Sequence, residues 1–218
     1  MPDEPLLRLH SLAYPVTALG PGRRLALWVA GCRRRCQGCI TPTLQSPESG
    51  LPVASAVLAR RVLHLAAERP GALDGLTLTG GEPFDQASAL VALMDRVMPH
   101  YPQWTVIAYS GDSLAALRRR SLACRALLAR IDLLIDGPFR ARQSARHPLA
   151  GSGNQRLWGL TGRGQILAKT STIAASDQAN LGLTAHGQDW LIGILPPPAR
   201  TAWHERFSNV LPVLDPVS

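Results

Sequence analysis

Residues 25–39 read LALWVAGCRRRCQGC, an apolar run that leads through Gly31 directly into three cysteines. Six consecutive apolar residues that stop at a glycine are typical of a strand buried on both faces of a parallel sheet. A similar order returns at residues 76–83, LTLTGGEP, where a short strand-like run ends in two glycines, a glutamate and a proline. Two strands are therefore predicted to end in loops that carry chemically distinctive residues.

Helix-like stretches separate the strand-like runs along most of the chain. Apolar residues recur with helical spacing over residues 53–68, 86–98 and 113–130, and two further strands are predicted at 105–109 and 132–135. This alternation favours right-handed crossovers, a parallel sheet and helices outside it. The sequence therefore predicts an α/β fold in which ligands bind beyond the carboxyl ends of the strands, next to the cysteines and the GGEP turn.

The pattern changes after Pro138. Beyond a stretch rich in Arg, Ser and Gly, the sequence predicts short strands at residues 156–160, 165–170 and 190–195, and one short helix around 201–207. A chain of 218 residues fits a single domain. We expect one domain over residues 1–218, with a core at about 20–160 and a small C-terminal β extension and tail over 161–218.

The charge balance bears on the kind of partner. The chain has 23 basic and 15 acidic residues, a net charge of +8, and Lys169 is its only lysine. Such a charge permits nucleic-acid binding, but aromatic residues make up only 5% and do not interleave with a basic stretch, as a base-stacking surface requires. We therefore predict no nucleic-acid partner. The arginine triplets at 33–35 and 118–120 are expected to be a solvated loop and a solvated helix face, with contact to an acidic partner as the alternative.

The sequence predicts neither a membrane segment nor an export signal. No apolar run approaches the roughly 18 residues that a membrane span needs, and residues 1–10 hold two acids and no continuous apolar segment. Three of the four cysteines crowd into eight residues, which suits metal ligation in a reducing compartment better than the disulfides of a secreted protein. The expected location is the cytoplasm.

Cys32, Cys36 and Cys39 form the pattern C-x3-C-x2-C, which offers three thiolates from one loop. A structural zinc site normally takes four ligands, so zinc would also have to recruit Cys124, a histidine or water. An iron–sulfur cluster can instead be held by three cysteines, with one iron left open to a small-molecule ligand. Both interpretations stay open on spacing alone. Cys124 lies in a helix-like stretch and is predicted to be a core cysteine.

The second distinctive segment is Thr79-Gly80-Gly81-Glu82-Pro83. Two residues without side chains would let a ligand touch the backbone at a strand end, and the neighbouring carboxylate can receive the ammonium group of a ligand. A Gly-Gly pair after a strand is also compatible with a plain tight turn. The combination of cysteines after one strand and GGEP after the next is what makes a binding site the preferred interpretation.

This combination resembles the radical S-adenosylmethionine (SAM) superfamily. More narrowly, the chain resembles the activating proteins of the anaerobic ribonucleoside-triphosphate reductase over residues 20–160. The matching segments are Gly31-Cys32, Gln37-Gly38-Cys39, Tyr109-Ser110-Gly111, Ile131-Asp132, the DGPF sequence at residues 136–139 and the GSGNQR sequence at residues 151–156.

The resemblance implies a set of site residues. Cys32, Cys36 and Cys39 would bind a [4Fe-4S] cluster, and SAM would chelate the open iron through its amino and carboxylate groups. Glu82 and the glycines before it, with Thr79 and Pro83 beside them, would hold the methionine amino end, and Asp136 would help to order the SAM site. Residues 151–156 are expected to be either a partner or SAM contact or a plain Gly/Ser loop. The implied fold is a partial (β/α) barrel of the radical SAM type.

The resemblance also implies a reaction and its partners. A reduced cluster would cleave SAM to a 5′-deoxyadenosyl radical, which takes a hydrogen atom from a glycine of a glycyl-radical enzyme, with a flavodoxin or ferredoxin as electron donor. The same chemistry could instead modify a peptide or a small molecule. From a different functional class, the cysteines could staple a zinc-stabilised binding module.

Overall fold

The computed structural model describes residues 4–68, 70–174, 180–183 and 189–194. Its strands are β1 (Leu6–Val16), β2 (Arg24–Val29), β3 (Leu51–Ala54), β4 (Gly75–Gly80), β5 (Thr105–Ser110), β6 (Leu133–Asp136), β7 (Arg156–Gly159), β8 (Asn180–Leu183) and β9 (Asp189–Ile192). Its α-helices are α1 (Ser55–Ala67), α2 (Ala87–Val97), α3 (Leu114–Arg119), α4 (Leu122–Leu128) and α5 (Gly162–Ala174).

Seven strands form one mixed sheet in the order β3-β1-β2-β4-β5-β6-β7. The central strands β2, β4, β5 and β6 pair in parallel, whereas β1, β3 and β7 run antiparallel to their neighbours. The α/β class predicted from the sequence is confirmed. Within the described ranges β3 and β7 are the two edges of this sheet and do not pair, so the sheet is open. The partial (β/α) barrel therefore stays a prediction.

The parallel strands are buried on both faces. In β2, Leu25 and Leu27 pack into a cluster with helices α1, α2 and α4, while Ala26 and Trp28 belong to a second cluster on the opposite face. All six residues of β2 are buried. This burial explains why the strand reads as a continuous apolar run rather than an alternating one. It also leaves the strand ends as the places where polar chemistry can reach solvent.

Six of the predicted elements are confirmed by the structure. The predicted strands at 25–30, 76–79, 105–109 and 132–135 are β2, β4, β5 and β6, and the predicted helices at 53–68 and 86–98 are α1 and α2. The predicted helix at 113–130 is instead two helices. Ser113 caps the first helix by accepting a hydrogen bond from the N–H of Ala116. Ser121 caps the second by accepting one from the N–H of Cys124, so the helical conformation is interrupted at Arg120.

The predicted strand at residues 165–170 is wrong, because this segment lies inside α5. The hydroxyl of Thr161 accepts a hydrogen bond of 3.0 Å from the N–H of Gly164. The carbonyl of Thr161 also accepts one of 2.9 Å from the N–H of Gln165. This cap starts a helix and outweighs the short apolar run that suggested a strand. The segment expected to be a β extension therefore begins with a helix.

The remaining differences concern the edges of the sheet. The predicted strand at 156–160 is β7, which joins the main sheet beside β6 with Asp136 opposite Arg156. Strand β1 was not predicted, although it pairs with both β2 and β3. The predicted strand at 190–195 overlaps β9, which pairs with β8 in a separate sheet. Residue 195 and the predicted helix at 201–207 lie outside the described residues. Among the described helices, none combines the length and apolar character required to cross a bilayer.

Candidate functional site

The cysteine loop follows β2 and is anchored at its base by backbone hydrogen bonds. The N–H of Gly31 donates to the carbonyl of Leu44 at 2.9 Å, and the N–H of Cys32 donates to the carbonyl of Gln45 at 3.0 Å. Within the loop Arg35 has a φ of 47° and Gly38 a φ of 70°. These left-handed residues turn the chain back on itself, so that all three cysteines reach the same cavity.

That cavity has a volume of about 480 Å³ and lies at the carboxyl ends of the central strands. Its walls come from the cysteine loop, from the ends of β4 and β5 and from the loops beyond β6 and β9. The residues that line it include Cys32, Cys36, Cys39, Trp28, Arg34, Thr79, Gly80, Gly81, Glu82, Tyr109, Ser110, Gly111, Phe139, Ile192 and Ile194. The structure thus brings the three cysteines together with four of the five residues of the TGGEP segment.

Three cysteines around one cavity are a donor set that a multi-iron cluster can use. Zinc holds every ligand about 2.0–2.3 Å from one point, and no three His, Cys, Asp or Glu side chains in the described part of the chain are placed to share a metal ion in this way. In a four-iron cluster each thiolate binds a different iron, so the sulfurs stay apart around a common cavity. Cys124 does not supply a fourth ligand: it is buried on α4 and its thiol donates to the carbonyl of Phe84 at 3.4 Å.

The glycine pair serves the packing of the protein itself. A Cβ atom on Gly80, where φ is +109°, would lie 2.4 Å from the carbonyl oxygen of Val29, and one on Gly81 would lie 2.2 Å from that of Gly31. The N–H of Gly81 donates to Val29 at 2.7 Å, and the N–H of Glu82 donates to Gly31 at 2.9 Å. The missing side chains therefore let the GGEP turn lie directly against the backbone that leads into the cysteines.

Glu82 is the best-buried polar group of the cavity, with 2% of its surface exposed. One carboxylate oxygen, Oε1, accepts hydrogen bonds from the N–H of Phe84 at 3.1 Å and the hydroxyl of Ser110 at 2.9 Å. The other, Oε2, accepts from the N–H of Gly111 at 2.8 Å. Burial raises the pKa of Glu82, and these three donors oppose that shift. The carboxylate is held in one position with acceptor capacity left on Oε2.

Two residues of the predicted site lie elsewhere. Pro83 is buried and starts a short 3-10 turn, outside the cavity wall. The Oδ2 atom of Asp136 accepts a hydrogen bond of 2.5 Å from the N–H of Leu114, at the start of α3. Asp136 lines a neighbouring cavity of about 690 Å³ instead, while the adjacent Gly137 borders both cavities.

Several cavity residues received no specific role in the sequence analysis. The sequence marks Tyr109, Ser110 and Gly111 only by their resemblance to the activating proteins, and the signal for a role in the site is their position at the end of a buried strand. The phenolic oxygen of Tyr109 is buried without a hydrogen-bond partner among the described residues. A polar group of a bound ligand could therefore form a hydrogen bond with it. Ile192 and Ile194 could not have been found, because only the folded chain brings them to the cavity.

The loop at residues 151–156 is held against the end of β6. The side chain of Gln155 accepts hydrogen bonds from the N–H groups of Gly151 at 2.7 Å and Ser152 at 3.2 Å. It also donates to the carbonyl of Gly137 at 2.9 Å. Gly151 and Gln155 reach the cavity wall. A contact of this loop with a ligand or a partner stays a prediction.

Comparison with known proteins gives consistent matches. The family model of the 4Fe-4S single cluster domain matches residues 18–158. The anaerobic ribonucleoside-triphosphate reductase-activating protein of Pasteurella multocida is 35% identical over 153 residues, which cover 68% of this chain and 95% of that protein. Its counterpart in Vibrio cholerae is 34% identical over 134 residues, covering 60% and 84%. The counterpart in phage T4 is 29% identical over 147 residues, covering 65% and 87%.

Proposed function

This chain belongs to the 4Fe-4S single cluster domain family, and we propose that it is a radical SAM enzyme that activates a glycyl-radical partner. Its similarity to activating proteins of the anaerobic ribonucleoside-triphosphate reductase supports the proposal. The proposal rests on one observation: the same cavity is lined by Cys32, Cys36, Cys39 and Glu82. Three thiolates leave one iron of a [4Fe-4S] cluster open. A buried carboxylate on the same cavity is suited to an amino-acid ligand of that iron.

The cofactors supply the difficult chemistry and the chain positions them. A reduced [4Fe-4S] cluster with bound SAM supplies a 5′-deoxyadenosyl radical that can take a hydrogen atom from a substrate. The three cysteines would hold the cluster. Glu82, fixed by three donors, would receive the methionine ammonium group of SAM. Trp28 and Phe139 line the cavity with apolar surface and limit the access of water. A partial barrel of the radical SAM type and a flavodoxin or ferredoxin donor complete the proposal.

Exposed arginines beside the cavity support a protein partner with an acidic face. Arg33 and Arg35 are exposed in the cysteine loop. Arg140, Arg142 and Arg146 are exposed in the loop after β6. Among the described residues these five have no carboxylate partner, whereas Arg34 is paired with Asp112. Unpaired like charges around the mouth of a site speed the encounter with an acidic surface.

The proposal is tested by partner activation under anaerobic conditions. The reconstituted protein, SAM and a reductant are mixed with the anaerobic ribonucleotide reductase of the same genome, and the glycyl radical is counted by electron paramagnetic resonance. We expect a SAM-dependent signal on the reductase. SAM cleavage without any such radical would move the assignment to modification of a peptide or a small molecule.

A variant separates docking from catalysis. Arg33→Gln with Arg35→Asn removes two exposed charges, and asparagine tolerates the left-handed backbone at position 35. Radical formation on the reductase should slow and depend less on salt, while SAM cleavage without the partner stays unchanged. Equal slowing of both reactions would assign these arginines to support of the cluster or SAM.

A further inference from the structure

A series of ion pairs links the cysteine loop to the ends of β4 and β5. Arg34, between the first two cysteines, pairs with Asp112 just after β5. The other carboxylate oxygen of Asp112 is 2.8 Å from Nη1 of Arg120, which follows α3. Nη2 of Arg120 is 2.7 Å from Asp85 in the 3-10 turn that Glu82 caps. Nε of Arg34 also lies 4.0 Å from Oε2 of Glu82. The series of ion pairs thus runs from the cysteine loop around Glu82 to the turn that carries it.

Gly111 makes room for this contact. A Cβ atom on Gly111 would lie 2.2 Å from Cδ and 2.8 Å from Nε of Arg34. The backbone of Gly111 does not have a positive φ, so the conformation alone does not call for glycine. The requirement comes from the arginine side chain that crosses it. The end of β5 therefore leaves room for the Arg34 side chain to lie across Gly111.

Partial burial gives the pair more weight than an ordinary surface ion pair. The side chain of Arg34 is 30% exposed and that of Asp112 is 16% exposed. Asp112 is engaged by a guanidinium on each of its oxygens, and its N–H donates to the hydroxyl of Ser110 at 3.0 Å. Arg34 lies at the surface, but Asp112 is largely buried, and a carboxylate bound by two guanidinium groups holds them more strongly than a single exposed pair does.

Arg34 also provides the side-chain contact between the cysteine loop and a neighbouring element. Among residues 33–38, within the ranges that the structure describes, only Arg34 has a side-chain hydrogen bond or ion pair to another element. The backbone bonds of Gly31 and Cys32 hold only the base of the loop. Without Arg34, the segment that carries Cys36 would have no side-chain hydrogen bond or ion pair to another element in the described ranges.

We infer that Arg34, held by Asp112, is a positioning residue that fixes the cysteine loop at a set distance from Glu82. The inference rests on the proposed function, since it concerns how the cluster and the SAM site are kept in register. Arg34 acts through the cysteines that flank it and is not itself a cluster ligand. Its loss should therefore loosen the cluster without removing any ligand.

The experiment measures cluster retention in the reconstituted holoprotein, without SAM or a partner. An iron chelator is added anaerobically, and the cluster absorbance is followed for wild type, Arg34→Gln, Asp112→Asn and the double variant. Each single variant should lose the cluster about tenfold faster than wild type, because a charged hydrogen bond to a largely buried carboxylate is lost. The double variant should be no faster than the faster single variant, because both changes break the Arg34–Asp112 contact and only Asp112→Asn also weakens the pair with Arg120.

Two further variants sharpen the result. Arg119→Gln makes the same charge change at an exposed arginine. Within the described ranges Arg119 has no side-chain hydrogen bond or ion pair, so this variant should match wild type. Arg34→Lys keeps the charge but lacks the planar fork, so its rate should lie between those of wild type and Arg34→Gln. This ranking would not follow from a general loss of positive charge.

The outcomes distinguish the positioning role of Arg34 from the proposed function. Equal retention in Arg34→Gln and Arg119→Gln, or additive effects in the double variant, would overturn the inference and leave the proposed function intact. A wild-type chain that takes up no iron–sulfur cluster would overturn both.

Discussion

At the scale of single residues, Glu82 depends on its neighbours for its position. Its carboxylate caps the 3-10 turn after β4 by accepting from Phe84, and it also ties the GGEP turn to the end of β5 through Ser110 and Gly111. A carboxylate with three fixed donors does not need to reorganise when a cation arrives. Glu82 therefore combines a structural role with the proposed binding of the ligand ammonium group.

Glu82→Gln should weaken SAM binding by about tenfold or more, because an amide keeps the shape of the side chain but not the charge that an ammonium group requires. The cluster absorbance should stay the same, since the three cysteines are untouched. Calorimetric titration of the reconstituted variant with SAM measures the effect. An unaltered affinity in a folded, cluster-loaded variant would reduce Glu82 to a turn residue.

The raised pKa of Glu82 predicts a pH dependence of SAM binding. Burial is the main cause of the shift, so Glu82 takes up a proton at a higher pH than an ordinary glutamate. The protonated form no longer attracts an ammonium group, and SAM affinity should fall as the pH is lowered through the raised pKa. Titrations at a series of pH values should show this fall in wild type and not in Glu82→Gln. The same fall in both proteins would point to another group.

The same shift affects stability in the opposite sense. Since the folded chain raises the pKa of Glu82 above its unfolded value, the contribution of Glu82 to stability is largest below the unfolded pKa. It is lost as the pH rises through the folded pKa. The fold thus gives up some stability above this raised pKa, where the carboxylate at the cavity is charged.

At the scale of elements, the register of β2 against β4 creates the site. Val29 lies opposite Gly80 in this parallel pair, so the cysteine loop and the GGEP turn leave the sheet side by side. The sequence predicted both strands and both loops, because a buried apolar run that ends at glycine is a strong local signal. It did not predict Arg34 with Asp112, since that contact depends on how far two loops of distant sequence extend toward each other.

Gly81→Ala should disturb the site more than its small volume suggests. The added Cβ would lie 2.2 Å from the carbonyl oxygen of Gly31 and 2.8 Å from that of Leu44, so two backbone segments would have to move apart. We expect lower cluster occupancy and a lower melting temperature, corresponding to about 1–3 kcal/mol of lost stability. Iron content and thermal unfolding measure the two effects.

Gly162→Ala is the matched control for this substitution. Gly162 begins α5, and an added Cβ would meet no atom within 4 Å. Alanine favours helix over glycine by up to about 1 kcal/mol, so this variant should be neutral or slightly more stable and should keep its cluster. Identical behaviour of the two alanine variants would show that the close approach at Gly81 is unimportant.

At the scale of the whole molecule, the two ends of the central strands have different tasks. The carboxyl ends carry the cysteines and Glu82. Near the opposite end, at the start of β2, Arg24 is fully buried. Its guanidinium donates to the carbonyls of Leu76 and Thr105, each at 2.6 Å, and to the hydroxyls of Thr77 and Thr105. Burial lowers the pKa of Arg24 to about 10. Hydrogen bonds to strands β4 and β5 offset part of the cost of burying this charge.

Arg24→Met should therefore destabilise the fold by about 3 kcal/mol, because it leaves buried carbonyl and hydroxyl groups without their donor. Denaturant unfolding of the apoprotein measures the change. Arg23→Gln is the control: its guanidinium donates to Gly71 in an exposed position, and the loss should stay within about 0.5 kcal/mol. A stability for Arg24→Met equal to that of the control would contradict a structural role for the buried guanidinium.

The overall architecture followed from the alternation of strand-like and helix-like segments, but the sheet edges did not. Strand β1 mixes apolar residues with Arg8, His10 and Ser11, and it is only partly buried, so its pattern was too weak to identify. Strand β7 was predicted as a strand but assigned to an added β portion, because sequence carries no signal for which neighbour a short strand joins. The contribution of Ile192 and Ile194 to the cavity depends on the same long-range placement.

The most direct test of the central claim is anaerobic SAM cleavage by the reconstituted, reduced protein, with 5′-deoxyadenosine measured by chromatography. We expect a brown, iron-containing protein that forms 5′-deoxyadenosine only when SAM and a reductant are both present. Activity should be lost in Cys36→Ala and retained in Cys124→Ala, since only the first removes a proposed cluster ligand. A cluster-loaded wild-type protein that forms no 5′-deoxyadenosine, or cleavage that survives loss of Cys36 and vanishes with Cys124, would contradict the account.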